Sequence, residues 1–533
     1  MAEAGQDDSY RLTKDGRVFN KGKRIFPNGD IYEGEFVDGL RHGKGVMHFH
    51  NGDKYEGEFE RNLYHGYGVF IWTIQIDEYD NVIPGKRYDG NWKDGKFHGQ
   101  GIYITGEGIV FTGYFERGMY EGKGTLKQGN GDFFQGMWSR GLPTGDMKIK
   151  YANGDEYEGQ MNVGKFHGHG KYTYNQNLGW YEGNWAMGKY HGQGSRMYSN
   201  GSKYAGAFHE GLLEGEGMMF FANGDQYLGG WRNGHMEGKG VYQYVDGESY
   251  EGSFLKGFMY GEGKFVYKDG GFYQGEYRNL MHLNKYVGVQ GSTRLPKCDG
   301  WRHGFGVRVW TNGVRYEGQW HEDKMHGTGS LVERTGAKYE GKFHNGLRSG
   351  QGQEQFGNLI GLPCTCPLGY KHYGDGYCTY TGEYQSGLFH GEGEFKCLLG
   401  PWYKGQWSNG QRHGEGEMYY IKEGEMGDTE RLCISGVDSL YRAMSFKGTW
   451  DRNIRHGQGM MTYTNGDTIS GGFLHGQPHG VLLYAFHSTA KKDTRGKIQV
   501  RKRGARFERG YRTEWLSDKS NVMRMFHAFD GVT

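Results

Sequence analysis

Apolar and polar positions alternate along most of this chain in short runs, and the runs recur. In "YEGEFE" at 55–60, Tyr55, Gly57 and Phe59 fall on one face, with Glu56, Glu58 and Glu60 on the other. A few residues on, Gly66, Gly68, Phe70 and Trp72 share a face again. Period two over such lengths predicts β-strands. A short turn such as Asp38-Gly39 separates the halves of a unit, and Asn-Gly-Asp separates units, as at 51–53, 153–155, 223–225 and 465–467. Asn-Gly favours a type I′ turn, so each unit is predicted to be one β-hairpin with that turn at its Asn-Gly end.

The units can be counted on the aromatic or apolar residue that opens each first strand. The anchors are Tyr32, Tyr55, Tyr88, Phe111, Phe134, Tyr157, Tyr181, Tyr204, Tyr227, Tyr250, Tyr273, Tyr316, Tyr339, Tyr380, Tyr403, Phe446 and Ile469. Eleven of the sixteen intervals are 23 residues, one is 24, and the others are 33, 43, 41 and 43. The long intervals exceed 23 by even numbers, which keeps the two faces in register. The single odd residue, near "YNQNLGW" at 174–180, predicts a β-bulge there. Three insertions, 73–86, 356–377 and 420–445, replace the Asn-Gly-Asp turn, and a fourth at 281–300 replaces the other turn. An eroded unit precedes Tyr32, within residues 1–31. The array occupies 32–484, and 485–533 follow it.

Composition explains what the alternation is for. Gly is 100 of 533 residues, well above the usual ~7%. Pro is only 8, aromatics make up 16%, and Gly has no period of three, so collagen and low-complexity disorder are excluded. Gly inside a strand is destabilising unless something needs the space. The inference is that aromatic rings lie flat over Gly positions of the same face. One hairpin alone is marginal, whereas stacked hairpins bury a continuous aromatic–glycine layer.

The stretches "YEGEFVDGLRHGKG" and "YEGEFERNLYHGYG" resemble MORN repeats, in which Tyr-x-Gly-x-[Phe/Trp] leads to His-Gly-x-Gly. The matching residues include Tyr32, Gly34, Phe36, Gly43 and Gly45, then Tyr55, Gly57, Phe59, Gly66 and Gly68, and later Tyr316, Gly318, Trp320, Gly327 and Gly329. The units at Phe134, Tyr273 and Ile469 depart furthest from the pattern. The resemblance implies an all-β fold, an elongated, twisted antiparallel hairpin solenoid. Such arrays occur in junctional membrane proteins, beside lipid-kinase or methyltransferase domains, and in radial-spoke and other axonemal components. Beyond the repeats, Trp515, Val522, Met525, Phe526 and Phe529 recur at helical spacing, with Ser517 at the N-cap position, and predict a short amphipathic helix covering the end of the array.

Candidate chemistry is sparse. Histidines such as His42, His65, His303 and His326 precede Gly at one offset. Equivalent residues of successive hairpins stand two strand spacings apart, too far to share a metal ion. "CTCPLGYKHYGDGYC" places Cys364, Cys366, His372 and Cys378 together, in spacings unlike a usual zinc finger, so free thiols are expected. No phosphate-binding loop and no catalytic constellation is present, so no enzyme, cofactor or metal is expected. With formal charge +2, the repeats offer no global attraction to nucleic acid. Six Cys, a polar N-terminal segment and the lack of long apolar runs lead to the expectation of a soluble protein of a reducing compartment. The polarised charge is a basic stretch containing Arg501, Lys502, Arg503, Arg506, Arg509 and Arg512, a candidate contact for anionic lipid or an acidic protein.

These features lead to the expectation of a structural scaffold of the ciliary or flagellar axoneme. Its partners would be other axonemal proteins, tubulin among them, or further copies of itself, held on aromatic faces and edge loops. The second reading is a membrane–cytoskeleton tether that binds anionic phospholipid through its basic C-terminal stretch.

Overall fold

The computed structural model describes residues 11–12, 14–76, 82–83, 85–279, 300–356, 364–365, 371–372, 378–397, 401–420, 443–492, 498–508 and 511–516. These are almost entirely strands, and thirty-eight of the strands take part in extended antiparallel pairing. The chain divides into two units. One is Met1–Val245 with Ser253–Phe258 and Met281–Pro296; the other is Asp246–Gly252, Met259–Leu280 and Lys297–Thr533.

In the first unit the strands Ile31–Val37, Leu40–His48, Lys54–Glu60 and Leu63–Trp72 pair in sequence order, each with the next. Glycine sits opposite glycine at every step: Gly34 faces Gly45, Gly45 faces Gly57, and Gly57 faces Gly68. The Tyr32 ring lies across Gly34 and Gly45, and a Cβ on either would overlap it. The ring covers glycine of its own strand as well as of its neighbour. Tyr32 and Tyr55 are fully buried. Tyr32 meets Phe36 edge-on at 4.9 Å and Phe59 at 5.0 Å, which links each hairpin to the next. Where the second strand offers another ring it stacks on the anchor, as Phe97 does on Tyr88 at 3.8 Å.

The turn types are the reverse of those expected. Asp38 and Gly39 have φ of 49° and 74°, so the type I′ turn lies between the halves of a unit. At Asn28-Gly29-Asp30 only Gly29 is left-handed, with φ 86°, while Phe26 N–H donates to the Asp30 carbonyl at 2.8 Å. Asn there acts through its side chain, its Oδ1 accepting from Asp30 N–H at 3.2 Å. Asp30 Oδ1 in turn accepts the N–H of His50, one hairpin later, at 2.9 Å. The same stitch joins Asp53 to Thr73 and Asp155 to Asn175.

A bulge recurs from hairpin to hairpin rather than occurring only near 174–180. It falls after the first glycine, between Gly34 and Phe36 or between Gly57 and Glu58. It explains the preference for Tyr: Tyr32 Oη donates to the Glu35 carbonyl at 2.9 Å, and Tyr55 Oη to that of Glu58 at 2.8 Å, satisfying bulged residues. Burial pushes the Tyr32 phenol up to about 12, so it remains a donor. Gly43 and Gly66, at φ 55° and 57°, form the other side of the bulge. The extra residue of the 24-residue interval is absorbed in a 3-10 turn, Asn175–Asn177, without shifting the pairing of Thr173 with Trp180.

The second unit repeats this architecture. Tyr316 lies over Gly318 and Gly329, and Trp320 Nε1 donates to the Gly306 carbonyl at 3.1 Å. The register runs on across the insertions at 356–377 and 420–445, with Tyr380 opposite Glu354 and Phe446 opposite Met418, as the even lengths require. Cys378 and Cys397 stand opposite one another and form a disulfide with Cα atoms 3.9 Å apart. The expectation of free thiols fails at this pair because strand register, invisible in a Cys count, brings them together. Cys366 lies outside the described residues, as do 280–299 and 421–442.

The C-terminal helix is not supported. Gln477–Lys492, Ile498–Glu508 and Tyr511–Trp515 continue as antiparallel strands. Trp515 packs as a strand residue against Tyr484 and Phe486 at 6.0 and 5.9 Å, a use for its ring that periodicity alone does not reveal. Ser517, Val522, Met525, Phe526 and Phe529 lie outside the described residues.

Candidate functional site: an apolar row on the polar face

The anchor rings are covered, so a partner that approaches the aromatic layer does not meet their faces. What stays open is the opposite face of the sheet, where the residues between Tyr and Gly and between Gly and Phe project. In the first unit one row of this face reads Lys148, Glu158, Lys171 and Glu182 along successive strands. Opposite charges meet there: Lys148 Nζ lies 2.6 Å from Glu158 and Lys171 Nζ 3.1 Å from Glu182. Pairs this exposed contribute ~0–1 kcal/mol each and leave the surface hydrated.

The same row then changes character. Ser195, Ala205, Met218, Leu228 and Val241 follow strand by strand. Leu228 is 55% exposed, and Phe220, two residues beyond Met218, is 42% exposed. Glu182, Ser195, Ala205, Glu216, Met218 and Leu228 line an open groove of about 620 Å³. The groove exists because Ala205 and Ser195 are short and glycines flank them. Among the described residues Glu216 has no ion-pair partner. An apolar strip beside a free carboxylate suits a segment presenting aliphatic side chains and a Lys or Arg.

The basic stretch does not form one patch. Arg501, Lys502, Arg503 and Arg506 occupy the strand Ile498–Glu508, whose alternate residues face opposite ways. Arg503 and Arg512 both pack on Trp515, 4.6 and 4.5 Å from the ring centre. Arg506 pairs with Glu514 at 3.3 Å. Arg509 is outside the described residues. A run that looked continuous in sequence is split by the period of two.

A family model for the MORN repeat matches residues 32–54, 55–74, 88–109, 111–133, 157–177, 181–203, 204–226, 227–249, 250–272, 299–315, 316–335, 339–358, 380–397, 403–423 and 446–468. The chain belongs to the MORN-repeat family. The gap between 133 and 157 in this MORN array coincides with the hairpin at Phe134, where the pattern departs. No curated protein matches it. Among solved structures, this MORN chain resembles the SAS-4 (dCPAP) TCP domain of Drosophila melanogaster in complex with a proline-rich motif of Ana2 (dSTIL). Identity is 18%, TM-score 0.19, coverage 29% of this chain and 84% of that one. It also resembles the wild-type TCP10 domain of Danio rerio CPAP (11% identity, TM-score 0.13, 48% and 93% covered). A third is the selenomethionine-substituted virginiamycin B lyase of Staphylococcus aureus (8% identity, TM-score 0.10, 66% and 92% covered). TM-scores this low carry no inference about partners or activity.

The apolar row was not anticipated from sequence. Its residues lie in five different strands and become neighbours only through the register. The available signal was the replacement of Glu or Lys by Ala205, Met218, Leu228 and Val241 at the polar positions of successive units.

Proposed function

We propose that this MORN-repeat chain is a non-enzymatic scaffold of a cytoskeletal assembly, specifically of the ciliary or flagellar axoneme. Its covered aromatic layer holds the fold, and its open face and edge loops hold partner proteins. The observation that carries the docking role is the row Ala205–Met218–Leu228–Val241 beside Glu216, exposed except at the half-buried Met218, a strip with no structural reason to be apolar. Axonemal placement rests on the resemblance of a repeat-dominated chain to axonemal MORN scaffolds.

The test is detergent extraction of ciliated cells expressing the tagged chain. Retention on the demembranated axoneme in salt is expected, with release when Leu228 is replaced by Glu. Leu228 is exposed, so the substitution leaves the core intact. Release of the unaltered chain with the membrane fraction overturns the scaffold reading. The second reading, a tether to anionic phospholipid, rests on the exposed Arg501 and Lys502. That binding would collapse as salt rises, whereas docking through an apolar row would not.

A further inference from the structure

Histidines of successive units were expected to stand too far apart to share an ion. The structure adds a second set between them. The residue before the bulge glycine of one unit lies opposite the residue that ends the first strand of the next unit. Gly304 pairs with Trp320, which sets His303 against His321; Gly327 pairs with Phe343, which sets His326 against His344. The ring centres of both pairs are 5.1 Å apart, and His321 and His326 close the gap between the pairs at 5.5 Å. Four imidazoles therefore run in a row across Trp301–Val309, Arg315–His321, Lys324–Val332 and Lys338–His344. Elsewhere the opposing residue differs: His413, for instance, faces Asp451 at 3.5 Å. In the first unit His191 and His209 form one more such pair, also at 5.1 Å.

We propose that the His303–His321–His326–His344 row binds a borderline divalent transition-metal ion, with zinc as the reference case, held between paired imidazoles. Two imidazoles bound through nitrogen at ~2.1 Å to one tetrahedral ion have ring centres about 5 Å apart, the spacing present here. His326 Nδ1 is buried without a hydrogen-bond partner, as are the Nδ1 atoms of His65 and His390, which face no histidine, so the paired spacing and not this atom carries the assignment. Among the described residues no three His, Cys, Asp or Glu side chains converge on one point. Each ion is therefore held by two rings, with water completing the shell. The row sits at the turn edge of the sheet, so a bound ion ties neighbouring hairpins together where only two-residue turns otherwise end them.

Zinc titration of the full chain by calorimetry, after alkylation of free thiols, tests this. The unaltered chain is expected to bind, and the exposed double variant His321→Asn/His344→Asn to lose at least about tenfold in affinity at this row, with one or two fewer ions bound. The control His98→Asn/His167→Asn, whose rings have no histidine opposite, is expected to bind as the unaltered chain does. Far-UV circular dichroism establishes that each variant is folded, and the single variant His321→Asn substitutes if the double one is not. Absence of zinc binding at 100 µM metal, or equal binding by the double variant, overturns the assignment.

Discussion

Two neighbouring hairpins of the first unit differ at their anchor and the positions around it, and show what the glycine ladder does. In the hairpin anchored by Tyr157, Gly159 faces Gly170 and the Tyr157 ring lies over both, stacked on Phe166 at 4.0 Å. In the hairpin anchored by Phe134, Gly136 faces Met147 instead, and Pro143 stands where Phe166 stands in the other. The pairing is the same. Yet Met147 is 2% exposed and occupies the place of the ring, while Phe134 is displaced to a half-buried position. Strand register thus survives loss of the motif, and what the paired glycines secure is the place of an aromatic ring lying over the backbone. The C-terminal strands extend the point: Gly471 faces Leu482, Leu482 faces Ala505, and pairing continues with no tyrosine over it.

The largest expected effect is on the anchors themselves. Tyr157→Ala removes a fully covered ring and is expected to cost ~3–5 kcal/mol. Phe134→Ala, at a half-buried position, should cost less than half of that. Because each hairpin leans only on its neighbours, hydrogen exchange within 157–173 and 134–150 reads the two losses separately. Equal costs would refute the distinction between the hairpins.

Converting one hairpin into the other sharpens the comparison. Gly170→Met places a side chain where the Tyr157 ring lies and is expected to destabilise by ~1–3 kcal/mol. It should also push Tyr157 outward, observable as increased reactivity of its ring toward iodination. The reverse change, Met147→Gly with Phe134→Tyr, should draw that anchor inward and make its ring less reactive toward the same reagent than in Phe134→Tyr alone.

The smallest effect lies in the turns. Asp132 and Asp155 each accept the N–H one hairpin later, from Ala152 and Asn175 at 2.8 and 2.7 Å. Asp155 alone of the two also accepts from a tyrosine, Tyr172 Oη at 2.8 Å. The Asn175 N–H chiefly, with Tyr172 and Asn153, holds the Asp155 carboxyl below the usual carboxylate range. A depressed carboxylate stabilises the fold fully above its unfolded value, ~3.9, and that contribution disappears as pH falls through the folded value. Asp155→Asn is expected to cost about 1–2 kcal/mol at neutral pH and to remove this part of the acid loss below pH ~4. Hydrogen exchange at the 174–179 turn at pH 6 and at about pH 2.5 measures it, and an unchanged pH response in the variant would discard the account.

Much of the hairpin array was legible because its signals are local and repeated. Alternation in "YEGEF", the 23-residue interval and the even insertions specify strands and keep their faces in phase. The excess of Gly pointed to rings over backbone, and Tyr32 over Gly34 and Gly45 is that arrangement. The candidate docking and metal-binding surfaces were not legible. Met218 and Leu228, or His326 and His344, are neighbours only once a register with a bulge is known, and one residue of slip would move them to other faces. The same holds for Cys378 and Cys397. At the C-terminus Trp515, readable as part of a helix, entered a strand because an open sheet edge offers backbone partners that an isolated helix lacks.

By itself, then, the sequence determined the hairpin unit, its phase and the aromatic–glycine layer, since each depends on residues close together in the chain. Tertiary structure decided which side chains meet across strands: the covering of the anchor rings, the splitting of the basic run, the apolar row and the row of histidines. Those depend on cross-strand register, a property of pairs of segments that neither segment carries alone.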